Sequence, residues 1–157
     1  MPKYAADTSV PADRSRAEIE GTLHRYGATQ FAYAWGESSA LIGFVANGRQ
    51  VRFTLVMPNP NDSSFTRTET GRPRTATAAR AAYDQATRQR WRALALVIKA
   101  KLEAVDAGIT VFEDEFLAHI VLPNGSTVGD TVRPGIEAAY LTGQVPPLLA
   151  IGGGPNA

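Results

Sequence analysis

Apolar residues alternate with small or polar ones along residues 28–57, and two short turn signals divide this stretch into three segments. The segments are ATQFAYAW (28–35), SALIGFVA (39–46) and RQVRFTLVM (49–57). Asn47-Gly48 separates the last two and favours a two-residue type I′ turn, because both central residues of that turn need positive φ. The pattern predicts a three-stranded antiparallel meander.

The two loops fix the register of this meander. With Asn47-Gly48 as one loop, Phe44 faces Val51, and with Glu37-Ser38 as the other, Trp35 faces Ala40. One face then carries the large apolar side chains and is the predicted core face: Phe31, Tyr33, Trp35, Ile42, Phe44, Val51, Phe53 and Leu55. The other face is open to solvent or covered by a partner; it holds Gln30, Ala32, Ala34, Leu41, Gly43, Val45, Gln50, Arg52 and Thr54.

A long helix is predicted from about Thr75 or Thr77 to Asp106, with Gly108 as its C-terminal stop. Its apolar residues recur three and four apart and form one stripe, which we expect to pack on the sheet: Trp91, Leu94, Ile98, Leu102 and Val105. Leu96 and Val97 point away from this stripe. A helix that is apolar nearly all round is typical of burial on two sides, here by another subunit.

The remaining elements are shorter. A capping box of Ser15 and Glu18, or a cap at Asp13, predicts a first helix over about 15–26. After Gly108, strands are predicted over 109–112 and 116–122, with a turn at Asn124-Gly125. Asp130 or Thr131 is the predicted cap of a last helix that runs to about residue 141.

Residues 58–74, PNPNDSSFTRTETGRPR, combine prolines, a glycine and many hydroxyl side chains without apolar periodicity. They predict a long flexible loop, and a loop of this length inside a domain is more often functional than merely connecting.

Together these elements predict an α+β fold. An antiparallel β-meander is packed by the long α-helix, with the short N-terminal helix and a C-terminal β-hairpin plus small helix beside it. Residues 1–12 are expected to be a mobile arm, 13–149 a single domain that contains the basic 58–74 loop, and 150–157 a disordered tail.

The amino-acid composition excludes several kinds of functional site. The chain has 157 residues, no cysteine and two histidines, which excludes disulfides and thiolate chemistry and makes a histidine-rich metal site improbable. Its first residues lack the apolar core of a secretory signal, and no apolar run approaches the length of a membrane span. We expect a cytoplasmic protein that does not enter membranes and needs no cofactor.

Net charge is +1 over the whole chain, but the charge is unevenly spread. Residues 1–66 are neutral, residues 67–101 carry nine basic against two acidic side chains, and residues 102–157 carry one basic against seven acidic ones. The basic middle therefore calls for an anionic partner, or for pairing with the acidic third within or between chains.

Two segments, RQRWRALALVIKAKLEAVDAG (88–108) and FEDEFLAHIVLPNGSTVGD (112–130), resemble small proteins of tailed bacteriophages and of phage-like metagenomic contigs. No activity is assigned to that family, so the resemblance transfers no catalytic residue. It implies a phage context, and hence the host cell cytoplasm, in which nucleic-acid partners are common.

The leading hypothesis is non-catalytic binding of DNA, mainly single-stranded and with little sequence specificity, in phage replication or recombination. Arginines in the basic segment would contact phosphates bidentately, and two aromatic residues would stack on bases. The candidate residues are Arg52, Phe65, Arg67, Arg72, Arg74, Arg80, Tyr83, Arg88, Arg90, Arg92 and Lys99.

Two alternatives stay open. In the first, the protein is a self-associating structural or counter-defence protein, a homo-oligomer whose basic helix pairs with the acidic C-terminal part of a neighbour. In the second, it is a divergent metal-dependent nuclease that gathers Mg²⁺ on carboxylates of the first helix and of residues 113–115. His119 is interpreted as a packed, hydrogen-bonded side chain, and no catalytic or metal-ligating residue is assigned.

Overall fold

The computed structural model describes residues 4–149 and confirms the α+β class. Within this range, three strands and five α-helices follow one another, with one 3-10 turn before the last helix. The elements are α1 (Ala12–Arg25), β1 (Gln30–Trp35), β2 (Ser39–Ala46), β3 (Arg49–Val56), α2 (Ser63–Thr66), α3 (Ala76–Asp106), α4 (Phe112–Glu115), the 3-10 turn (Leu117–His119) and α5 (Val128–Thr142).

The meander has the predicted order and register. Phe44 lies opposite both Phe31 and Val51, and Trp35 lies opposite Ala40. Asn47 has a φ of 51° and Gly48 a φ of 69°, as the type I′ turn requires. The turn therefore sets which side chains reach each face of the sheet.

The helices cover one face of the sheet and leave the other open. Side chains from every layer meet in one buried cluster: Ile19 and Leu23 of α1, Ile42, Phe44, Val51 and Phe53 of the sheet, Trp91, Ala95, Ile98 and Leu102 of α3, and Phe112 and Phe116. The predicted core face is thus confirmed at the centre of the sheet. On the opposite face Gln30, Ala32 and Gln50 are exposed.

The long helix begins where the sequence places it. Thr75 caps α3, and its side-chain oxygen accepts a hydrogen bond from the Ala78 N–H at 3.1 Å. Gly108, with a φ of 72°, ends the helical run. The predicted stripe faces the core, whereas Val97 stays 39% exposed, so the second side of this helix has no cover within residues 4–149.

The first helix begins earlier than predicted. Pro11 stands at its N-cap and Ser15 lies inside the first turns, fully buried, so the predicted capping box does not form. The Ser15 hydroxyl has no hydrogen-bond partner among residues 4–149. Apolar packing on α3 sets the position of α1, and this overrides the local capping preference.

The predicted C-terminal β-hairpin is wrong in its strands. Residues 112–115 are helical and residues 117–119 form the 3-10 turn, because Phe112 and Phe116 are four residues apart and both point into the core, with ring centroids 4.7 Å apart. Only single bridges remain, Val51 to Ile120 and Val121 to Thr127. The turn at Asn124-Gly125 is present, and the Gly125 N–H donates to the Leu122 carbonyl.

The last helix is capped by Thr127, not by Asp130 or Thr131 as predicted. It contains no buried residue and contacts mainly the 3-10 turn. Gly129 makes the close approach possible, because a Cβ at this position would lie 2.9 Å from the Ala118 carbonyl oxygen. The predicted tail, 150–157, lies outside the described residues.

The N-terminal arm runs along α3. Gln85 donates to the carbonyls of Ala6 and Thr8, at 3.0 and 2.9 Å, and Gln89 donates to the Tyr4 carbonyl at 2.6 Å. Two glutamines of the long helix thus hold residues 4–8 in place; residues 1–3 of the predicted arm lie outside the described range.

Candidate nucleic-acid interface

Residues 62–74, which we call the basic turn, contain the short helix α2 and hydrogen-bonded turns, where the sequence predicts a stretch without regular structure. The Asp62 carboxylate accepts a hydrogen bond from the Ser64 N–H at 2.8 Å and caps α2, and this bond holds the pKa of Asp62 below its usual value. Thr68 and Arg72 close the turn, since the Thr68 N–H donates to the Arg72 carbonyl at 2.8 Å. Hydroxyl and amide groups therefore shape this segment.

Two arginines of the basic turn also hold its shape. Arg67 donates to the Gly71 carbonyl at 3.0 Å, and Arg74 donates to the Phe65 carbonyl at 3.5 Å. Both line an open cavity of about 460 Å³ together with Ser63, Ser64, Thr68, Glu69 and Gly71. Guanidinium and hydroxyl donors around one cavity suit an oxyanion such as phosphate.

Arg72, like Arg67, is an exposed cation of the basic turn. Its main-chain N–H bonds to the Thr68 hydroxyl at 3.1 Å, and no side-chain partner lies within residues 4–149. Its guanidinium is therefore available to an external anion.

Phe65 and Tyr83, the two residues predicted to stack on bases, pack against each other. Their rings meet edge to face with centroids 5.8 Å apart, and both side chains are half-buried. Arg80 lies 6.0 Å from the Tyr83 ring centre and pairs with Asp84 at 3.2 Å. The contact between Phe65 and Tyr83 ties the basic turn to α3.

Next to Tyr83 lies an aromatic cleft of about 480 Å³. Tyr33 and Trp35 of β1 form one wall, Asp13 and Arg16 of α1 a second, and Tyr83, Thr87 and Trp91 of α3 a third; Gly36, Glu37, Ser39, Ala40 and Met57 complete the lining. Tyr83 thus borders both the cleft and, through Phe65, the basic turn.

The prediction that Tyr33 and Trp35 lie in the core is wrong, although their strand face is as expected. Trp35 is 76% exposed and Tyr33 43%, whereas Trp91 on the cleft floor is 4% exposed. The helices cover the centre of the sheet but not this end of β1. Alternation along a strand reveals the face of a residue but not where the covering layer stops.

No pattern in the sequence marks Arg16 as a site residue, yet its side chain contacts two of the aromatic rings that line the cleft. Its guanidinium lies 4.3 Å from the centre of the Tyr33 ring and 5.9 Å from that of Trp91. It also pairs with Asp13 at 2.8 Å. A cation over an aromatic face is favourable, and here it links α1 to Tyr33 of β1 and to Trp91 of α3.

The other predicted basic residues lie apart from this region or are engaged elsewhere. Arg88 bonds to Gln85, Arg90 donates to the Val56 carbonyl at 2.8 Å, and Arg92 pairs with Glu18. Lys99 is exposed, but it lies 19 residues beyond Arg80, about 28 Å along the helix. The structure does not bring these four side chains to the basic turn.

Arg52 lies on the open face of the sheet, away from the helices. It donates to the Gly125 carbonyl at 2.9 Å and so fastens the Asn124-Gly125 turn to β3. The place of Arg52 on the open face is as predicted, and its guanidinium is engaged there by the Gly125 carbonyl.

Within the described residues, two carboxylates of the acidic C-terminal third pair with basic residues that lie outside that third, in addition to the local Asp130–Arg133 pair. Glu115 bonds to Lys101 at 3.1 Å, and Glu113 to Arg49 at 2.9 Å. Over residues 4–149 no three His, Asp or Glu side chains are grouped as a metal site would need. Pairing between neighbouring chains stays a prediction.

His119 packs as predicted, although in the 3-10 turn and not in a strand. Its ring stacks on Phe53 with centroids 4.0 Å apart. Burial, reinforced by the nearby charge of Lys101, lowers the pKa of His119 below its usual value, and a hydrogen bond with the Arg52 backbone opposes this shift. Burial therefore favours the neutral form of this ring in the folded protein.

Comparison with protein-family models, with curated proteins and with solved structures gave no match to this chain. No helix among the described residues is long and apolar enough to cross a membrane.

Proposed function

We propose that this protein binds single-stranded DNA without catalysis, with phosphates held at the basic turn and a base stacked in the aromatic cleft. The proposal extends to a role in replication or recombination of a tailed bacteriophage, in the host cytoplasm, in line with the resemblance of residues 88–108 and 112–130. It assigns no cofactor and no catalytic residue.

One observation carries the proposal: Tyr83 borders the aromatic cleft and also contacts Phe65 of the basic turn. Donors for phosphate and a face for base stacking are therefore neighbours on one surface. Proteins that bind single strands without sequence preference combine a basic track with aromatic platforms in this way.

The exposed indole of Trp35 favours single strands over duplex. Its 76% exposure leaves a π face that an unpaired base can cover, whereas bases in a duplex are already stacked. Arg72, whose guanidinium has no partner in the described part of the chain, would neutralise a phosphate of the same strand, and such contacts weaken as salt rises.

The test is a titration of a fluorescent single-stranded oligonucleotide, followed by anisotropy at low and at moderate salt, with a duplex of the same sequence beside it. R67A/R72A/R74A should bind more than tenfold more weakly at low salt, and the slope of log K against log salt should fall by about 2. R72A alone, which leaves the hydrogen bonds of the turn intact, should lower the slope by roughly 0.7.

The matched control is R14A/R25A/R133A, which removes the same charge from three exposed positions outside the basic turn. It should bind almost as the parent does. Equal losses in the two triple variants would reduce the effect to net charge, and no binding by the parent at low salt would refute the proposal.

A further inference from the structure

The outer edge of β1 presents unpaired main-chain groups. The Gly36 N–H donates to the Ser39 carbonyl at 2.9 Å, so in this antiparallel register the even-numbered residues of β1 bond to β2. The N–H and C=O groups of Phe31, Tyr33 and Trp35 therefore point outward. Nothing in residues 4–149 donates to them or accepts from them.

At the opposite edge of the sheet, formed by β3, outward main-chain carbonyls have hydrogen-bond partners. On β3 the Gln50 carbonyl accepts from the Val121 N–H at 2.8 Å, and the Val56 carbonyl accepts from Arg90 at 2.8 Å. Arg49 and Arg52 add charge to this strand. The β3 edge is therefore both covered and charged, which prevents pairing with another strand.

None of these protections applies to β1. Its sequence, QFAYAW, contains no charge and no proline, and five of its six residues are exposed. An open cavity of about 500 Å³ lies between α1 and the start of the strand, lined in part by Glu20, His24 and Phe31, and the aromatic cleft lies at its end. No helix or strand of residues 4–149 fills the space beside this edge.

We infer that β1 pairs antiparallel with β1 of a second copy of this chain, around a twofold axis at Tyr33. In this register Phe31 lies opposite the partner's Trp35, and Ala32 opposite the partner's Ala34. Aromatic pairs form on one face and small residues meet on the other, and no like charges are opposed.

A second copy fits this edge better than an extended peptide does. The partner's strand is already ordered, so its pairing does not carry the conformational cost of fixing a disordered segment. A twofold contact also uses the unprotected edge of both chains at once and closes on itself. The result is a six-stranded sheet with both helical layers on one side.

This inference does not rest on the proposed function. The pairing uses the main chain of β1, so the dimer can be tested without nucleic acid. The side chains of Tyr33 and Trp35 stay on the side of the sheet that carries the helices.

The test is sedimentation equilibrium of the full chain over a wide range of concentration. A32E/A34E changes two exposed side chains on the open face and places glutamates opposite each other at two pairs across the axis. The dimer dissociation constant should rise about tenfold, because like charges directly opposite in a sheet are unfavourable. A32K/A34E, which opposes a lysine to a glutamate at the same two pairs, should keep or tighten the dimer.

Q50E/T54E is the matched control, since it adds the same two charges to the same face but on β3; it should dimerise as the parent does. A parent that is monomeric up to millimolar concentration overturns the inference. So does an A32E/A34E variant that dimerises as well as the parent, and dissociation of A32K/A34E overturns the register at Tyr33.

Discussion

The guanidinium of Arg16 lies over the ring of Tyr33, 4.3 Å from its centre, and joins α1 to the exposed end of β1. A cation over an aromatic ring at a partly exposed site contributes about 0.5–1 kcal/mol. The same guanidinium is held from the other side by Asp13 at 2.8 Å. Arg16 is therefore the link that keeps the two walls of the aromatic cleft together.

We expect R16A to lower the free energy of unfolding by roughly 0.5–1 kcal/mol, measured by urea denaturation. R16K should recover part of this loss, because it keeps the charge without the flat guanidinium. R14A, at an exposed neighbouring position, should be neutral. If R14A and R16A were equally destabilised, the contact with Tyr33 would contribute nothing.

The two tryptophans should separate binding from folding. W35A removes an indole that is 76% exposed and should change stability by less than about 0.5 kcal/mol. It should weaken oligonucleotide binding by about 1–3 kcal/mol, roughly five- to 150-fold, and W35F should bind nearly as the parent does.

W91A provides the contrast, because Trp91 is 4% exposed on the cleft floor. It should lower the free energy of unfolding by about 3–5 kcal/mol. Thermal unfolding and anisotropy of the same samples check both variants. Unchanged affinity in W35A would exclude base stacking at this residue.

Stability should fall as the pH drops through the range in which histidine titrates. The pKa of His119 is lower in the folded state, mainly because the ring is buried, so the unfolded chain binds its proton first. This contribution is complete above the unfolded pKa, about 6.5, and is lost as the pH falls toward the folded pKa.

H119F keeps the aromatic contact with Phe53 and removes the titrating group. Its free energy of unfolding, measured by urea between about pH 5 and pH 7.5, should decline less toward acid than that of the parent. H24Q, at an exposed position, is the control. Parallel pH curves for H119F and the parent would contradict the assignment.

The cap of α5 can be removed without touching the core. The Thr127 hydroxyl accepts a hydrogen bond from the Asp130 N–H at 3.2 Å, and T127A should cost about 0.5–2 kcal/mol. T127S retains the acceptor and should cost much less. Helical circular dichroism and urea denaturation measure the difference; equal losses in both variants would point to packing of the methyl group and not to the cap.

The meander could be predicted residue by residue because its determinants are local. Asn47-Gly48 fixes one turn, and the period-2 pattern then permits a single register with Phe44 and Val51 on the same face. The strands predicted within residues 109–122 are wrong for the opposite reason: the structure of this segment depends on contacts with the core. Their alternation competes with the four-residue spacing of Phe112 and Phe116, and contact with the core decides in favour of helix.

In the candidate site, too, some features can be predicted from local sequence and others depend on contacts between distant segments. The excess of arginine in residues 67–74 is visible in the sequence, and so is the aromatic character of β1. That Arg92 pairs with Glu18, or that Trp35 extends beyond the helical layer, depends on contacts between distant segments. No local pattern encodes where a covering layer ends.

Because α5 contains no buried residue, we expect this helix to be less stable than the rest of the domain. A helix of 15 residues is marginal on its own, and α5 contacts mainly the 3-10 turn, where Gly129 packs against the Ala118 carbonyl. Amides of α5 should therefore exchange with solvent through local opening, whereas those around Ile98 in α3 should exchange only when the whole domain unfolds. The C-terminal helix would then attach and detach as a unit on a time scale far shorter than that of folding.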